Sequence, residues 1–519
     1  MNNARSFLWI ALAALGFLLW NAWQNDYHRI QPMPVPAATD IDRPATSSRS
    51  ADLPSADSAP VVAAPGDVEA PTTVVDAPSR IIRVVSDVLE LDIDTRGGTV
   101  RKANLRHYPV KAGEATPSVQ IFDGEGEHFF VAQSGLVSST SAAPDHRAVF
   151  AAAQDEYRLG EGQDRIEIPL TWTRDGVTVT KTFALKRGDY TVDVATRVDN
   201  ASAAEWSASA YTQLTRTSPI VNRKFSFTNP EQYSFVGAAW YSEEEKFEKL
   251  AFDDFASEPL NRTITGGWAA QQQHYFFAAW IPEVTEAQAY STAVITDQGA
   301  PRYLIRQMGP GFKVAPGANV TRAARLYVGP KEQKKLDDIA PGLGLTIDYG
   351  MVTIVAKPVF WLLNALHGLV GNWGFAIILT TLLVKLLLYP LSETQYRSMA
   401  KMRKVQPRIE ALKQRYGEDR QKFNQAMMEL YSKEKINPVG GCFPLLLQFP
   451  VFIALYWVLL ESVELRHAPF IGWLTNLSAR DPYFVLPVAN AAIMWITQKM
   501  SPSPAGMDPM QQKVLQYMP

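Results

Sequence analysis

The chain has 519 residues, with 50 Lys and Arg against 52 Asp and Glu and a net charge of -2. That balance excludes a global basic field that would recruit nucleic acid, and the length leaves room for roughly three domains at about 150 residues each. Charged residues make up 20%, below the figure of about 25% usual for soluble domains. Mean hydropathy is nevertheless only -0.10, which excludes an all-membrane bundle and points to a chain part water-soluble and part lipid-embedded. A single cysteine, Cys442, excludes an intramolecular disulfide and a Cys-based zinc cluster.

Residues 1–27 read as an N-terminal membrane anchor. Phe7 to Trp23 is almost wholly apolar, with Arg5 before it and Asp26 after it. At 1.5 Å per residue this run reaches across a thin hydrocarbon core. No small-x-small cleavage site follows it, so an uncleaved anchor is expected, and Arg5 on the leading side places the N-terminus in the cytoplasm. Residues 28–80 read as a disordered linker: nine of the 35 prolines and no aromatic residue lie between Gln31 and Arg80. Such a composition cannot bury enough apolar area to offset its ordering entropy.

From 81 to 341 the hydrophobic period becomes two. Leu89 to Asp94 alternates strictly, and Arg165 to Thr173, Val177 to Leu185 and Tyr190 to Val198 form a three-stranded meander about turns at Asp175-Gly176 and Arg187-Gly-Asp189. The prediction is one large antiparallel β-sandwich on the outer side of the membrane.

The remainder is helical. Apolar runs predict membrane spans at 373–391, 444–463 and 483–500, with a polar helical hairpin at 392–441 between the first two. Between Ser392 and Gly441 stand eleven basic and six acidic residues, an excess that belongs on the cytoplasmic side. One span before the hairpin satisfies this; a second would not. The segment 342–371, broken by Lys357-Pro358, Asn364 and His367, is therefore expected to lie at the outer interface as an amphipathic helix.

Candidate chemistry is sparse. His107, His128, His146 and His274 are scattered in the β-region without metal-ligand spacing or a phosphate loop, so no catalytic residue, metal or cofactor is expected. His274 lies in a strand-like run and reads as a structural histidine. In the hairpin, Tyr396, Met399, Met402, Val405, Ile409, Leu412 and Tyr416 form one apolar stripe and Phe423, Met427 and Leu430 another. The two stripes can pack on each other. Alternatively, with Arg403 and Lys404, the residues Tyr396, Met402 and Met427 make a Met-rich basic surface that receives an emerging polypeptide. In the membrane, Lys385 shares a helix face with Thr381; Gln448 and Gln498 are the other polar residues that could line a recess. Intramembrane charges usually face a cavity or a partner. Lys385 is also close enough to Pro390 to snorkel to the inner surface, and spacing alone leaves both readings open.

Several motifs in order resemble the YidC membrane protein insertase family, in its Gram-negative form with a large periplasmic domain. They are Gly266-Gly-Trp268, Tyr275-Phe276, Ala279-Trp-Ile-Pro282, Tyr327-Val-Gly-Pro330, Asn372-Trp-Gly-Phe375, Lys385 to Pro390 leading into Tyr396 to Met402, Asn437 to Pro444 and Asp508-Pro-Met-Gln-Gln512. The resemblance implies a periplasmic β-super-sandwich similar to mutarotase domains and, at 372–519, an insertase membrane core enclosing a hydrophilic groove. It places Lys385 where the family usually carries a groove arginine, with Thr381, Gln448 and Gln498 as further groove positions. It also implies two more membrane helices and a basic tail beyond Pro519, so the core is expected to be incomplete at its C-terminal side. The implied function is a non-enzymatic insertase and chaperone of the bacterial inner membrane, multi-pass, acting on nascent membrane proteins in the lipid bilayer. Its implied partners are the Sec translocon and the ribosome or signal recognition particle machinery. The alternative is an anchored envelope protein that binds or modifies carbohydrate through the sandwich.

Overall fold

The computed structural model describes residues 52–54, 78–111, 117–219, 234–297, 300–416, 419–434 and 438–500. The expected anchor at 1–27, most of the linker at 28–80 and the Asp508–Gln512 motif lie outside the described residues. The chain divides into two compact units, one formed by Ser48–Thr380 with Ile453–Pro482, the other by Met1–Ser47, Thr381–Phe452 and Tyr483–Pro519.

In the first unit a ten-stranded and a nine-stranded sheet share one core. Strands Arg165–Arg174, Val177–Lys186 and Thr191–Asn200 form the predicted meander. Asp175 and Gly176 both take left-handed backbone angles, φ 50° and 78°, the twist that a two-residue hairpin turn requires and that Asp and Gly tolerate. That turn pairs Arg174 with Val177 and carries the register through to Arg165 opposite Lys186. Alternation then turns Val177, Val179, Lys181 and Phe183 to the buried face. Lys181 is accommodated there because its Nζ donates to the carbonyls of Gly97 at 2.7 Å and Ser134 at 2.8 Å. Trp280 and Phe183 from one sheet face Phe122, Phe130 and Tyr290 from the other. Trp268 and Phe277 fill the opposite face of their sheet, where the Trp268 indole donates to the Pro341 carbonyl at 3.1 Å and Phe277 packs on Tyr327. All described pairings are antiparallel except that of Ile81–Val85 with Glu156–Arg158. His274 falls in the bend between strands Trp268–Gln272 and Phe276–Pro282, not inside a strand.

Among the described residues six helices follow a single helical turn at Leu336–Ile339. They are α1 (Thr353–Val370), α2 (Trp373–Leu387), α3 (Tyr389–Tyr416), α4 (Arg420–Lys433), α5 (Pro438–Glu461) and α6 (Val485–Met500). Gly371, at φ 65°, ends α1 with its N–H on the His367 carbonyl, a left-handed cap. Helix α2 stops at Leu387, short of the Leu391 at which the sequence closes this span. Pro390 has no N–H to offer the carbonyl one turn back and its ring crowds that carbonyl, so the chain bends by 61° into α3. Gly350–Val370 is by itself long and apolar enough to cross a membrane, and the bent pair Trp373–Leu387 with Tyr389–Met402 qualifies when taken together. Among the described residues, the segment that charge placement assigns to the interface thus meets the length criterion by itself.

Candidate functional site

The residues expected to line a groove sit on three helices. Lys385 is exposed in the last turn of α2, and Thr381, one turn earlier, is half-buried. Gln448 on α5 and Gln498 on α6 are also half-buried. Among the described residues no hydrogen bond joins Lys385 to Gln448. Apolar side chains surround all of them in sequence and are bare: Leu382, Leu386 and Leu387 on α2, Leu446, Phe449 and Phe452 on α5, and Val488, Ile493 and Trp495 on α6 are all exposed. Apolar surface on this scale is unfavourable against water and ordinary against hydrocarbon or an apolar partner.

Helices α3 and α4 pack as a hairpin about Val405 and Ile409, against which Met402, Phe423, Leu430 and Tyr431 close. Asp419 starts α4 by accepting hydrogen bonds from the N–H groups of Gln421 at 3.1 Å and Lys422 at 3.0 Å, which satisfies two donors that the first turn leaves open. Arg408 pairs with Glu434. The two readings of the stripes therefore separate by residue. Met402 belongs to the hairpin's own contact, Met427 is half-buried, and Tyr396 and Lys404 are exposed. Arg403 is placed on α3.

A second constellation escaped the sequence reading, which treats its members as unrelated. Under the β-domain, the C-terminal end of α5 and the loop after it meet the sheet. His274 Nε2 lies 3.0 Å from the Leu460 carbonyl, and Ser234 Oγ donates to Glu461 Oε1 at 3.1 Å. The Gln333 N–H reaches Glu464 Oε1 at 3.3 Å, and the Gln333 amide bonds the Tyr349 hydroxyl. Lys249 pairs with Asp348. Burial, with the nearby charge of Lys331, lowers the His274 pKa to about 4, so the ring is neutral and its 3.8 Å approach to Glu461 is not an ion pair. Burial likewise lowers Lys331 to about 8, opposed by the charge of Glu461. No short-range pattern could signal this cluster, since His274 and Leu460 are 186 positions apart.

The Asn372-Trp-Gly-Phe375 motif acts in the same unit. The Asn372 amide donates to the carbonyls of Pro469 at 3.3 Å and Phe470 at 3.0 Å and accepts from the Phe375 N–H at 3.2 Å. It thus caps α2 and holds the 469–470 loop together. Trp373 stacks on His367 at 3.8 Å and Phe375 meets Phe470 edge-on at 5.1 Å. Gly374 makes room: a Cβ there would stand 2.0 Å from the Phe470 ring. Among the described residues no group of three or more His, Cys, Asp or Glu could hold a metal ion.

Residues 81–362 match the family described as the YidC periplasmic domain and residues 365–519 the family described as 60Kd inner membrane protein. A protein named membrane protein insertase YidC from Thioalkalivibrio sulfidiphilus is 46% identical over all of this chain and 92% of its own length. One of the same name from Alkalilimnicola ehrlichii is 45% identical over all of this chain and 90% of its own. Among solved structures, an active YidC insertase with its first transmembrane domain resolved is similar at 17% identity and a TM-score of 0.34, covering 85% of this chain and 88% of that one.

Proposed function

The chain belongs to the YidC membrane protein insertase family, and on that footing we propose how it carries out insertion. It is an inner-membrane protein with a periplasmic β-sheet domain, and its cargo is membrane proteins in the course of integration. The carbohydrate alternative is not favoured by this membership.

The proposed mechanism uses no covalent chemistry. Residues 1–27 anchor the chain, the α3–α4 hairpin stands in the cytoplasm, and α2, α5 and α6 contribute to a groove into which Lys385, Thr381, Gln448 and Gln498 project. The observation that carries this reading is the combination on these helices of bare apolar faces with an exposed lysine and half-buried polar groups. A polar segment entering such a recess keeps water and one positive charge beside it. A carboxylate about 4 Å from Lys385 gains roughly 4 kcal/mol at an effective dielectric near 20, before desolvation. The membrane potential, negative inside, then favours outward transfer of the acid by about 2.3 kcal/mol per 100 mV. The apolar faces pass the following hydrophobic segment to lipid. The exposed Tyr396 and Lys404 and the rest of the basic hairpin supply the surface for the ribosome or signal recognition particle, and cooperation with the Sec translocon belongs to the same reading.

The test is insertion of a short single-span substrate into liposomes that hold the full chain. Protease-protected product should depend on the chain and, for acidic tails, should increase with an imposed potential that makes the lumen positive relative to the side where substrate is added. Equal protection in empty liposomes would overturn the proposal.

A further inference from the structure

Three residues of the expected tether are seated in the β-domain. The Asp52 carboxylate meets His146 Nε2 through Oδ2 at 3.2 Å and pairs with Arg147 through Oδ1. Its main-chain carbonyl accepts from Arg306 Nη2 at 2.6 Å and from Gln213 Nε2 at 3.4 Å. Pro54, two residues on, is buried. Asp52 lies 254 positions from Arg306, and nothing in the local composition marks it out from its neighbours.

The receiving surface is held together by the sheet's own pairing and side-chain hydrogen bonds. Strand pairing sets Gln213 opposite both Gln133 and Arg306, which makes a polar row across three neighbouring strands of the ten-stranded sheet. Along the row Arg306 Nε donates to Gln213 Oε1 at 2.9 Å and Gln213 Nε2 donates to Gln133 Oε1 at 2.8 Å. Tyr211, on the same strand face as Gln213, accepts from the His146 N–H at 3.0 Å and faces His146 Nδ1 at 2.6 Å. The hydroxyl's own hydrogen then goes to Nδ1, which leaves Nε2 as the donor that meets a carboxylate. His146, Tyr211, Gln213 and Arg306 are all less than one-tenth exposed. Burying an imidazole, an amide and a guanidinium in one place is costly without partners. The carboxylate and the carbonyl of one extended aspartate supply partners to all three at once. One pair of groups reads the acid, the other reads the main chain.

We propose that this row is a binding site for an extended peptide segment bearing an aspartate, with Asp52–Pro54 as its resident ligand, exchangeable for an acidic segment of another polypeptide on the same side of the membrane. Attachment to the same chain gives the resident an effective concentration of about 1 mM, so weak intrinsic contacts suffice to keep it seated. An acidic segment entering from outside must outcompete it. Burial raises the Asp52 pKa, but the His146 hydrogen bond and the guanidinium of Arg147 outweigh it and hold the carboxyl below its usual range, consistent with a site built for the charged form.

The experiment titrates a fluorescent peptide of residues 49–57 into the full chain in detergent and into its Asp52→Ala variant, which removes the resident carboxylate and its hold on His146 and Arg147 without touching the sheets. The variant should bind the peptide at least about 10-fold more tightly than the parent. The same peptide with Asn in place of Asp52 should bind neither. Arg147→Glu in the Asp52→Ala background should abolish binding while the thermal midpoint stays unchanged, since Arg147 is half-exposed. Equal affinity for parent and variant, absence of saturable binding to the variant, or survival of binding in Arg147→Glu would each overturn the proposal.

Discussion

His274 donates its Nε2 hydrogen to the Leu460 carbonyl at 3.0 Å, so an imidazole from a bend in the β-sheet satisfies one of the carbonyls that the last turn of α5 leaves without a helical partner. The other ring nitrogen, Nδ1, is buried without a hydrogen-bond partner among the described residues. A second ring hydrogen would therefore sit unpaired in the interior beside Lys331. The bond thus serves the neutral ring and resists the charged one.

This asymmetry has a sign. The folded pKa of His274 is about 4 against an ordinary 6.5, so between those values the unfolded chain binds more protons, and stability rises with pH across that window. At pH 5 the loss relative to pH 7 should be about 2 kcal/mol. Thermal unfolding of the parent and of His274→Gln from pH 4.5 to 7.5 checks this. The slope should flatten in the variant; an identical slope in both would remove His274 as its source.

Gly374 and Phe470 make a second measurable pair. Gly374→Ala forces the Phe470 ring aside, and overpacking of this kind costs about 1–3 kcal/mol. Phe470→Ala should absorb most of that cost, giving a clearly non-additive double-mutant cycle in denaturant melts. Asn372→Ala, which removes the α2 cap and the amide bonds to the loop, should cost about 1 kcal/mol or more.

For the groove, charge at residue 385 is the variable. Lys385→Arg should insert substrates at least as well as the parent, because the charge is kept and the guanidinium adds a second donor to a carboxylate. Lys385→Ala should impair acid-tailed substrates most and uncharged ones least, and Lys385→Glu should be worse still for the acidic ones. Two substrates that differ only in tail acidity, assayed across the four side chains, decide the matter. If Lys385 only snorkels, Ala will match Lys on both.

In the hairpin, Ile409→Asp would place a carboxylate in the small apolar contact with Val405, Phe423 and Leu430. A charge without a partner in that position should separate α3 from α4 at a cost of several kcal/mol. The measurement is trypsin cleavage within 401–433, expected to speed up at least about tenfold if roughly 1.4 kcal/mol or more is lost. Cleavage at the parental rate would mean that the two helices do not depend on this contact.

Where the chain's information is local, it was legible without coordinates. The Asp175-Gly176 turn, the alternation of Val177 to Lys186 and the stripe through Val405 and Ile409 each depend on backbone preference or on side chains within one or two turns, and the structure places them accordingly. The run of motifs from Gly266 to Gln512 sufficed for the family for the same reason: order along the chain is a property of sequence. What only tertiary structure decided are the partnerships of buried polar groups. His274 reads as an isolated histidine until the end of α5 is brought beneath it, and Asp52 reads as linker until strand register aligns Gln133, Gln213 and Arg306. A buried polar atom takes its partner from whichever strand, loop or helix end the packing of the core delivers, and that packing is a sum over the whole unit that no window of residues contains.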